Sequence, residues 1–109
     1  MTFEEYQIRS RETAIYPDRG NNFVYPILGL VGEVGEITGK IKKVIRDNNG
    51  VISEERKQDL VIEIGDALWY ISQLATELDI SLENIAEANI NKILSRKERG
   101  TLRGSGDDR

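Results

Sequence analysis

Two pairs of acidic residues have a spacing that suits metal-assisted chemistry. Glu33 and Glu36 are three residues apart, and so are Glu63 and Asp66. Residues three apart lie on one face of a helix, separated by about one turn. Each pair sits beside a helix-periodic apolar stretch, so its two carboxylates are expected to project from one side of a helix.

The apolar residues around the two pairs predict two amphipathic helices that pack together. They recur at the helical period of about 3.6 residues. The first stripe comprises Leu30, Val31, Val34, Ile37, Ile41, Val44 and Ile45, and the second comprises Leu60, Ile64, Ala67, Leu68, Ile71, Leu74, Ala75 and Leu78. If the helices are antiparallel, the two acidic flanks fall on the same side and all four carboxylates converge.

Four converging carboxylates repel one another unless a cation lies among them. Carboxylate oxygens are ligands that Mg²⁺ and Mn²⁺ prefer, and the absence of His and Cys excludes a zinc site with nitrogen or sulfur ligands. Mg²⁺ commonly completes its shell with phosphate oxygens, so the pattern favours phosphate-ester or phosphoanhydride chemistry. The alternative is a solvated boundary in which lysines pair with the acids, as Lys40 can with Glu36 one turn earlier.

The chain of 109 residues fits one domain with a modest core. Its 39% apolar and 31% charged residues are typical of a helical protein with a highly charged surface, and its net charge of −4 argues against binding to a nucleic-acid backbone. No apolar run is long enough to span a membrane, no N-terminal signal pattern is present and cysteine is absent. We therefore expect a cytoplasmic protein.

Capping and turn residues divide the chain into four helices, so we expect an all-α fold that resembles a four-helix bundle. Thr2, Ser53 and Ser81 are the predicted N-caps of three of them. The helices are predicted over residues 3–13, from a start within 23–27 to 47, 54–78 and 82–98, with stop signals at Asn48, Asn49, Gly50 and Gly100. Residues 1–103 are predicted to form the domain and residues 104–109 a flexible tail.

Four glycines in the second predicted helix, Gly29, Gly32, Gly35 and Gly39, call for an explanation. Each glycine inside a helix costs up to about 1 kcal/mol relative to alanine. Close packing against another helix is one explanation, and room for a ligand beside the carboxylates is another.

Further candidate ligand-binding residues follow the acids. Asn89, Lys92 and Arg96 line up on one flank of the fourth helix. Their amide, ammonium and guanidinium suit an anion with several oxygens, and a solvated polar face is the alternative. Lys40 either neutralises the acids or meets phosphate oxygens. Trp69 lies off the apolar stripe of its helix, so it either stacks on a nucleobase or fills a core or a subunit interface.

Residues 29–36 and 63–70 together resemble the signature of the MazG-like nucleoside triphosphate pyrophosphohydrolases, E-x-x-E followed by E-x-x-D. The spacer between the two motifs is residues 37–62, and the resemblance extends over nearly the whole chain, including the polar row on the fourth helix. It implies an all-α MazG fold that assembles as a homodimer or homotetramer, with a site completed near a subunit interface.

The resemblance also implies a reaction: Mg²⁺-dependent cleavage of an NTP or dNTP between the α and β phosphates, giving NMP or dNMP and pyrophosphate. Mn²⁺ is the expected substitute, and the role is nucleotide-pool control or house-cleaning. The implied metal ligands are Glu33, Glu36, Glu63 and Asp66, with Glu36 or Glu63 acting on the attacking water. The candidate substrate-binding residues are Asn89, Lys92, Arg96, Lys40 and Trp69. The alternative function is a non-catalytic helical module that binds a nucleotide or mediates oligomerisation.

Overall fold

The computed structural model describes residues 1–107, which form four helices and contain no strand. The helices are α1 (Phe3–Arg11), α2 (Val24–Asn48), α3 (Glu54–Glu77) and α4 (Leu82–Glu98). Their bounds lie within two residues of those predicted, and the all-α fold is confirmed. The domain boundary at residue 103 stays a prediction, and residues 108 and 109 of the predicted tail lie outside the described residues. Within the described range, no helix has both the length and the apolarity that crossing a bilayer requires.

The helices begin and end at residues whose chemistry satisfies the backbone. The hydroxyl oxygens of Thr2, Ser53 and Ser81 accept hydrogen bonds from the backbone N–H groups three residues later, at 3.1, 3.1 and 3.2 Å. α2 ends at Asn49 and Gly50, where φ is 53° and 78°. Asn and Gly adopt this left-handed conformation most readily, so the turn between α2 and α3 follows directly from the sequence.

α2 and α3 form an antiparallel pair that positions the acidic residues. Gly29, near the start of α2, lies against Tyr70 in the second half of α3. Further along α2, Lys40 Nζ lies 3.2 Å from Glu63 Oε1, which is nearer the start of α3. The flanks that carry the two acidic motifs therefore face each other.

Packing within the chain explains one of the four glycines of α2. A Cβ at Gly29 would overlap the ring of Tyr70, so glycine is what allows α2 and α3 to approach here. Among residues 1–107, a Cβ at Gly32, Gly35 or Gly39 would have no atom within 4 Å apart from its chain neighbours and the adjacent backbone of its own helix. These three glycines leave space along α2 on either side of the acidic motif.

α1 is joined to α3 by buried hydrogen bonds and also contacts α4. Ser10 Oγ and Ser72 Oγ are 2.8 Å apart, and Gln73 Nε2 donates to Ser10 Oγ at 3.1 Å. All three side chains are buried. At the start of α4, the N–H of Leu82 donates to Gln7 Oε1 at 2.8 Å. α1 thus links the α2–α3 pair to α4.

The predicted apolar stripes are only partly covered within one chain. Of their members, Val44, Ala67 and Ala75 are buried, whereas Val31 is 65% exposed and Ile64 is 55% exposed. The radius of gyration is 16.9 Å, compared with about 13 Å for a compact domain of 100 residues. Apolar faces of the helices are therefore exposed to contact with another chain.

Candidate active site

Three carboxylates meet between α2 and α3. One oxygen from each of Glu33, Glu63 and Asp66 lies within 4.8 Å of the other two. Glu63 and Asp66 are about one turn apart on α3, and the antiparallel packing brings Glu33 of α2 opposite them. The structure therefore brings together three of the four predicted metal ligands.

Glu36, the fourth predicted ligand and a candidate base, is exposed and lies outside this three-residue cluster. It nevertheless acts on the cluster through its charge. Burial, followed by hydrogen bonding with Glu63 and the charges of Asp66, Glu63 and Glu36, raises the pKa of Glu33 above its usual value. Ionised Glu33 is thus opposed by negative charge from both helices.

Lys40 provides positive charge to the cluster. Its ion pair with Glu63, at 3.2 Å, crosses from α2 to α3. Within residues 1–107, Lys40 forms its ion pair with Glu63, although the sequence also allowed a pair with Glu36. One ammonium beside three clustered carboxylates leaves the cluster with negative charge.

The donor set of the cluster suits a hard divalent cation. It consists of carboxylate oxygens from two helices, and the side chains of Glu33 and Glu63 are half-buried. Mg²⁺ and Mn²⁺ prefer such oxygen ligands. Burial and the neighbouring carboxylates raise the pKa of Glu33, and a cation bound among these carboxylates would favour its ionised form. Glu33, Glu63 and Asp66 are therefore the residues that could hold the metal.

Aromatic side chains flank the acidic cluster. Glu33 and Asp66 line a cleft of about 260 Å³ together with Trp69 and Tyr70. The two rings pack edge to face, with centroids 5.1 Å apart. Tyr70 was not among the predicted site residues, although it directly follows Trp69 in the second motif. A cleft with an aromatic wall and an acidic floor suits a ligand that combines a flat ring with groups that bind a metal.

Trp69 also contacts the connection between α1 and α2, which comprises residues 12–23. Its Nε1 donates to Thr13 Oγ1 at 2.8 Å. Its ring packs edge-on against Tyr16, with centroids 6.4 Å apart, and Tyr16 stacks on Tyr25 at 5.1 Å. Trp69 is therefore a half-buried member of an aromatic group that borders the cleft.

The polar row predicted on α4 is not brought to the acidic cluster within one chain. α4 packs against α1, and among the described residues it has no comparable packing with α2 or α3. Asn89 and Lys92 are exposed. Arg96 is buried: its Nη2 donates to the carbonyl oxygen of Asp107 at 2.7 Å, while its Nε has no hydrogen-bond partner within residues 1–107. The guanidinium predicted to bind phosphate is thus covered by the segment that follows α4.

A further carboxylate, that of Glu77, lies outside the two acidic motifs and accepts four hydrogen bonds. The side chain of Glu77 is fully buried in the last turn of α3. It accepts hydrogen bonds from Arg11 Nη2 at 2.8 Å, the Tyr16 hydroxyl at 2.6 Å, and the N–H groups of Gly20 at 2.9 Å and Asn22 at 2.7 Å. Burial opposes its ionisation, but these bonds outweigh that effect and lower the pKa of Glu77 to about 2.

One signal for Glu77 was available in the sequence. A carboxylate in the last turn of a helix faces the negative end of the helix dipole. The last turn of α3 contains no basic residue that would offset this. Such a glutamate either stays in solvent or finds donors elsewhere in the fold, and Glu77 finds them in α1 and in residues 12–23.

Comparison with known proteins gives one family and one close relative. Residues 26–101 match the model of the MazG nucleotide pyrophosphohydrolase domain. Gene 37 protein of Mycobacterium phage L5 is 47% identical over 114 aligned positions, which cover all of both chains. Its name assigns no activity. No solved structure matches significantly.

Proposed function

The chain belongs to the MazG nucleotide pyrophosphohydrolase domain family, and from this premise we propose that it hydrolyses nucleoside triphosphates. The proposed reaction cleaves the α–β phosphoanhydride of an NTP or dNTP and releases NMP or dNMP and pyrophosphate. The proposed cofactor is Mg²⁺, for which Mn²⁺ can substitute, and the proposed role is nucleotide-pool control or house-cleaning.

The observation that carries this proposal is the cluster of Glu33, Glu63 and Asp66, whose oxygens lie within 4.8 Å of one another beside an aromatic cleft. Mg²⁺ at these carboxylates would screen the charge of the triphosphate and polarise the phosphorus that is attacked. Glu36, one turn from Glu33, is proposed as a further ligand.

A carboxylate is the proposed general base, because the chain contains no histidine. Glu36 or Glu63 would orient the attacking water and accept its proton as the P–O bond of the α–β linkage breaks. Glu63 already has an ammonium partner in Lys40. Glu36 is exposed and can approach a substrate from α2.

The aromatic wall is the proposed site for the nucleobase. Trp69 lines the cleft with Glu33 and Asp66, so a base stacked on its indole would leave the phosphates near the carboxylates. Stacking of a base on an aromatic side chain contributes about 1–3 kcal/mol and tolerates different bases. Lys40, on the far side of the cluster from this wall along α2, is the proposed contact for phosphate oxygens.

A homodimer or homotetramer is proposed to complete the site. Asn89, Lys92 and Arg96 are the proposed phosphate contacts, yet α4 does not pack beside the cluster of its own chain. A second copy could bring its own α4 to the cluster, and the exposed apolar residues on α2 and α3 would favour such association. Arg96 would have to exchange the carbonyl of Asp107 for a phosphate oxygen.

The test is a panel of NTPs and dNTPs incubated with Mg²⁺, with Mn²⁺ or with EDTA, with NMP, pyrophosphate and inorganic phosphate measured separately. We expect NMP and pyrophosphate in equal amounts, dependent on the metal. Release of inorganic phosphate in place of pyrophosphate would contradict the proposed bond cleavage. Nucleotide binding without any product would contradict the enzyme and favour a non-catalytic nucleotide-binding module.

A further inference from the structure

Glu77 lies on the same helix as Glu63 and Asp66 but in its last turn, about 16 Å from Asp66 along the helix axis. We propose that Glu77 is a positioning residue: it fixes the connection between α1 and α2, which holds Trp69 in the cleft wall and thereby sets the affinity for the nucleobase. This inference rests on the proposed function, because it assigns control of base binding to the same cleft.

Glu77 fixes the path of the backbone as well as side chains. Two of its four donors are the N–H groups of Gly20 and Asn22, at 2.9 and 2.7 Å. Gly20 has a φ of 98°, a conformation that favours glycine, so the bend depends on this residue type. Asn22 in turn binds the first turn of α2, because its Oδ1 accepts from the N–H of Tyr25 at 3.0 Å. One buried carboxylate thus sets where α2 starts relative to α3.

Tyr16 connects Glu77 to the cleft. Its hydroxyl donates to Glu77 at 2.6 Å, while its ring packs edge-on against Trp69 at a centroid distance of 6.4 Å. The same connection supplies Thr13, whose hydroxyl oxygen accepts the hydrogen bond of Trp69 Nε1 at 2.8 Å. Trp69 therefore makes two contacts with the connection that Glu77 fixes, and releasing the connection would free one side of the indole.

The surroundings of Glu77 leave no position for a ligand. Its side chain is fully buried and accepts four hydrogen bonds. Arg11 is engaged as well, since its Nη1 donates to the Tyr16 hydroxyl at 2.6 Å and to Gln73 Oε1 at 3.1 Å. A carboxylate whose hydrogen bonds are all made within the fold acts through the groups it holds, which is why we assign positioning and not catalysis.

Some residues of this arrangement lie inside the range that matches the family, and others lie outside it. Glu77, Trp69 and the acidic cluster lie within residues 26–101, whereas Thr13, Tyr16 and Gly20 precede the matched range. Glu77 therefore ties a segment from outside the match to the wall of a cleft inside it. We expect changes in this segment to alter which nucleotide is bound and to leave the metal-dependent step largely unchanged.

The test combines steady-state kinetics of Glu77→Gln with the fluorescence of Trp69, the only tryptophan of the chain. Glutamine keeps the size of the side chain and removes the charge that four donors share. With the best nucleotide of the panel, we expect KM to rise about tenfold while kcat changes less than about threefold. The Mg²⁺ requirement should be unchanged, and acrylamide should quench Trp69 more strongly. The matched control is Glu54→Gln, which removes an exposed carboxylate at the other end of α3 and should change none of these values.

Two smaller substitutions test the same path with less effect on folding. Tyr16→Phe removes the hydroxyl that bonds to Glu77, and Thr13→Val removes the acceptor of the Trp69 hydrogen bond. We expect each to raise KM about threefold and to change the ranking of the bases. If Glu77→Gln does not fold, these two variants test the positioning role in its place. Unchanged KM and quenching in every folded variant would overturn the proposal, as would a fall in kcat at constant KM.

The experiment distinguishes failure of this inference from failure of the proposed function. If the wild-type chain releases no pyrophosphate but a non-hydrolysable nucleotide quenches Trp69, and Glu77→Gln weakens that binding about tenfold, the proposed reaction is wrong and the positioning role is supported. If the wild-type chain is active and Glu77→Gln matches Glu54→Gln in KM and in quenching, the positioning role is wrong and the proposed reaction stands.

Discussion

The last turn and the middle of α3 carry carboxylates in opposite surroundings. In the last turn, Glu77 is fully buried and accepts hydrogen bonds from four donors of the chain. In the middle of the helix, Glu63 and Asp66 face Glu33 of α2, and one ammonium, that of Lys40, lies beside the group. The protein supplies donors where a carboxylate holds the fold together. Where donors are few, the carboxylates are suited to a cation from solution.

Glu77 and the acidic cluster also respond to protons with opposite sign. The pKa of Glu77 is lowered to about 2, so its ionised form stabilises the folded state. The pKa of Glu33 is raised, first by burial and then by neighbouring carboxylates, so its ionised form opposes folding when no cation is bound. The same residue type thus stabilises one part of the molecule and destabilises another.

Removing a carboxylate from the two acidic motifs should have the largest effect on activity. We expect Glu63→Gln and Glu36→Gln each to reduce pyrophosphate release by about 10³-fold, because each removes a proposed metal ligand that is also a candidate base. Helicity and assembly should be retained, as measured by circular dichroism and light scattering. Glu54→Gln is the control, and full activity in either variant would contradict the role assigned to that residue.

Matched alanine substitutions measure how differently Glu77 and Glu63 contribute to the free energy of unfolding. Glu77→Ala should lower the free energy of unfolding by about 3–5 kcal/mol, because it leaves Arg11 and two backbone N–H groups without their acceptor. Glu63→Ala removes repulsion and should change it by less than about 1 kcal/mol. Urea unfolding at pH 7 measures both. Equal losses of unfolding free energy in the two variants would contradict the distinction between Glu77 and the acidic cluster.

Acid should weaken the end of α3 that Glu77 holds. Its pKa is about 2 in the folded state compared with 4.5 as the ordinary value, so its contribution is fully present above about pH 5 and is lost as the pH falls towards 2. The loss corresponds to about 3 kcal/mol. Unfolding experiments from pH 7 to pH 2 should show this loss in the wild-type chain and not in Glu77→Gln. Identical pH profiles would contradict it.

Alanine substitutions at two glycines of α2 should have the smallest effects, and these should be opposite in sign. Gly29→Ala forces the added methyl group into the ring of Tyr70 and should cost about 1–3 kcal/mol. Gly32→Ala, beside Glu33, meets open space and should gain up to about 1 kcal/mol from helix propensity. Thermal unfolding measures both. A loss of stability together with a loss of assembly in Gly32→Ala would indicate that a second copy packs on this face.

Local signals in the sequence were sufficient for the helices and for most of the acidic cluster. The cap at Ser81 and the stop at Gly100 placed α4 at its predicted bounds, Leu82–Glu98. The spacing of the acidic pairs and the apolar period indicated that all four carboxylates would converge if the two helices were antiparallel. Glu33, Glu63 and Asp66 do meet, whereas Glu36 lies outside their cluster. In both cases the deciding contacts lie within one helix or between neighbouring helices.

Contacts between distant parts of the chain could not be predicted in this way. Gly20 and Asn22 lie 57 and 55 residues from Glu77, and no periodicity links them. The burial of Arg96 depends on a carbonyl beyond the end of its own helix. The stripe that includes Val31 failed to predict burial for a different reason: an amphipathic pattern indicates that a face will be covered, but not by which chain.

The long separations around Glu77 have a consequence for the order of folding. Five residues join α2 to α3, whereas the four hydrogen bonds of Glu77 close loops of 55 to 66 residues. Contacts that close long loops form late. We therefore expect the acidic cluster to assemble before the aromatic wall, and Glu77→Ala to accelerate unfolding while leaving the folding rate nearly unchanged. When the native molecule opens locally, the connection around Tyr16 should detach first. The acidic cluster would then stay in place while the aromatic wall of the cleft is disrupted.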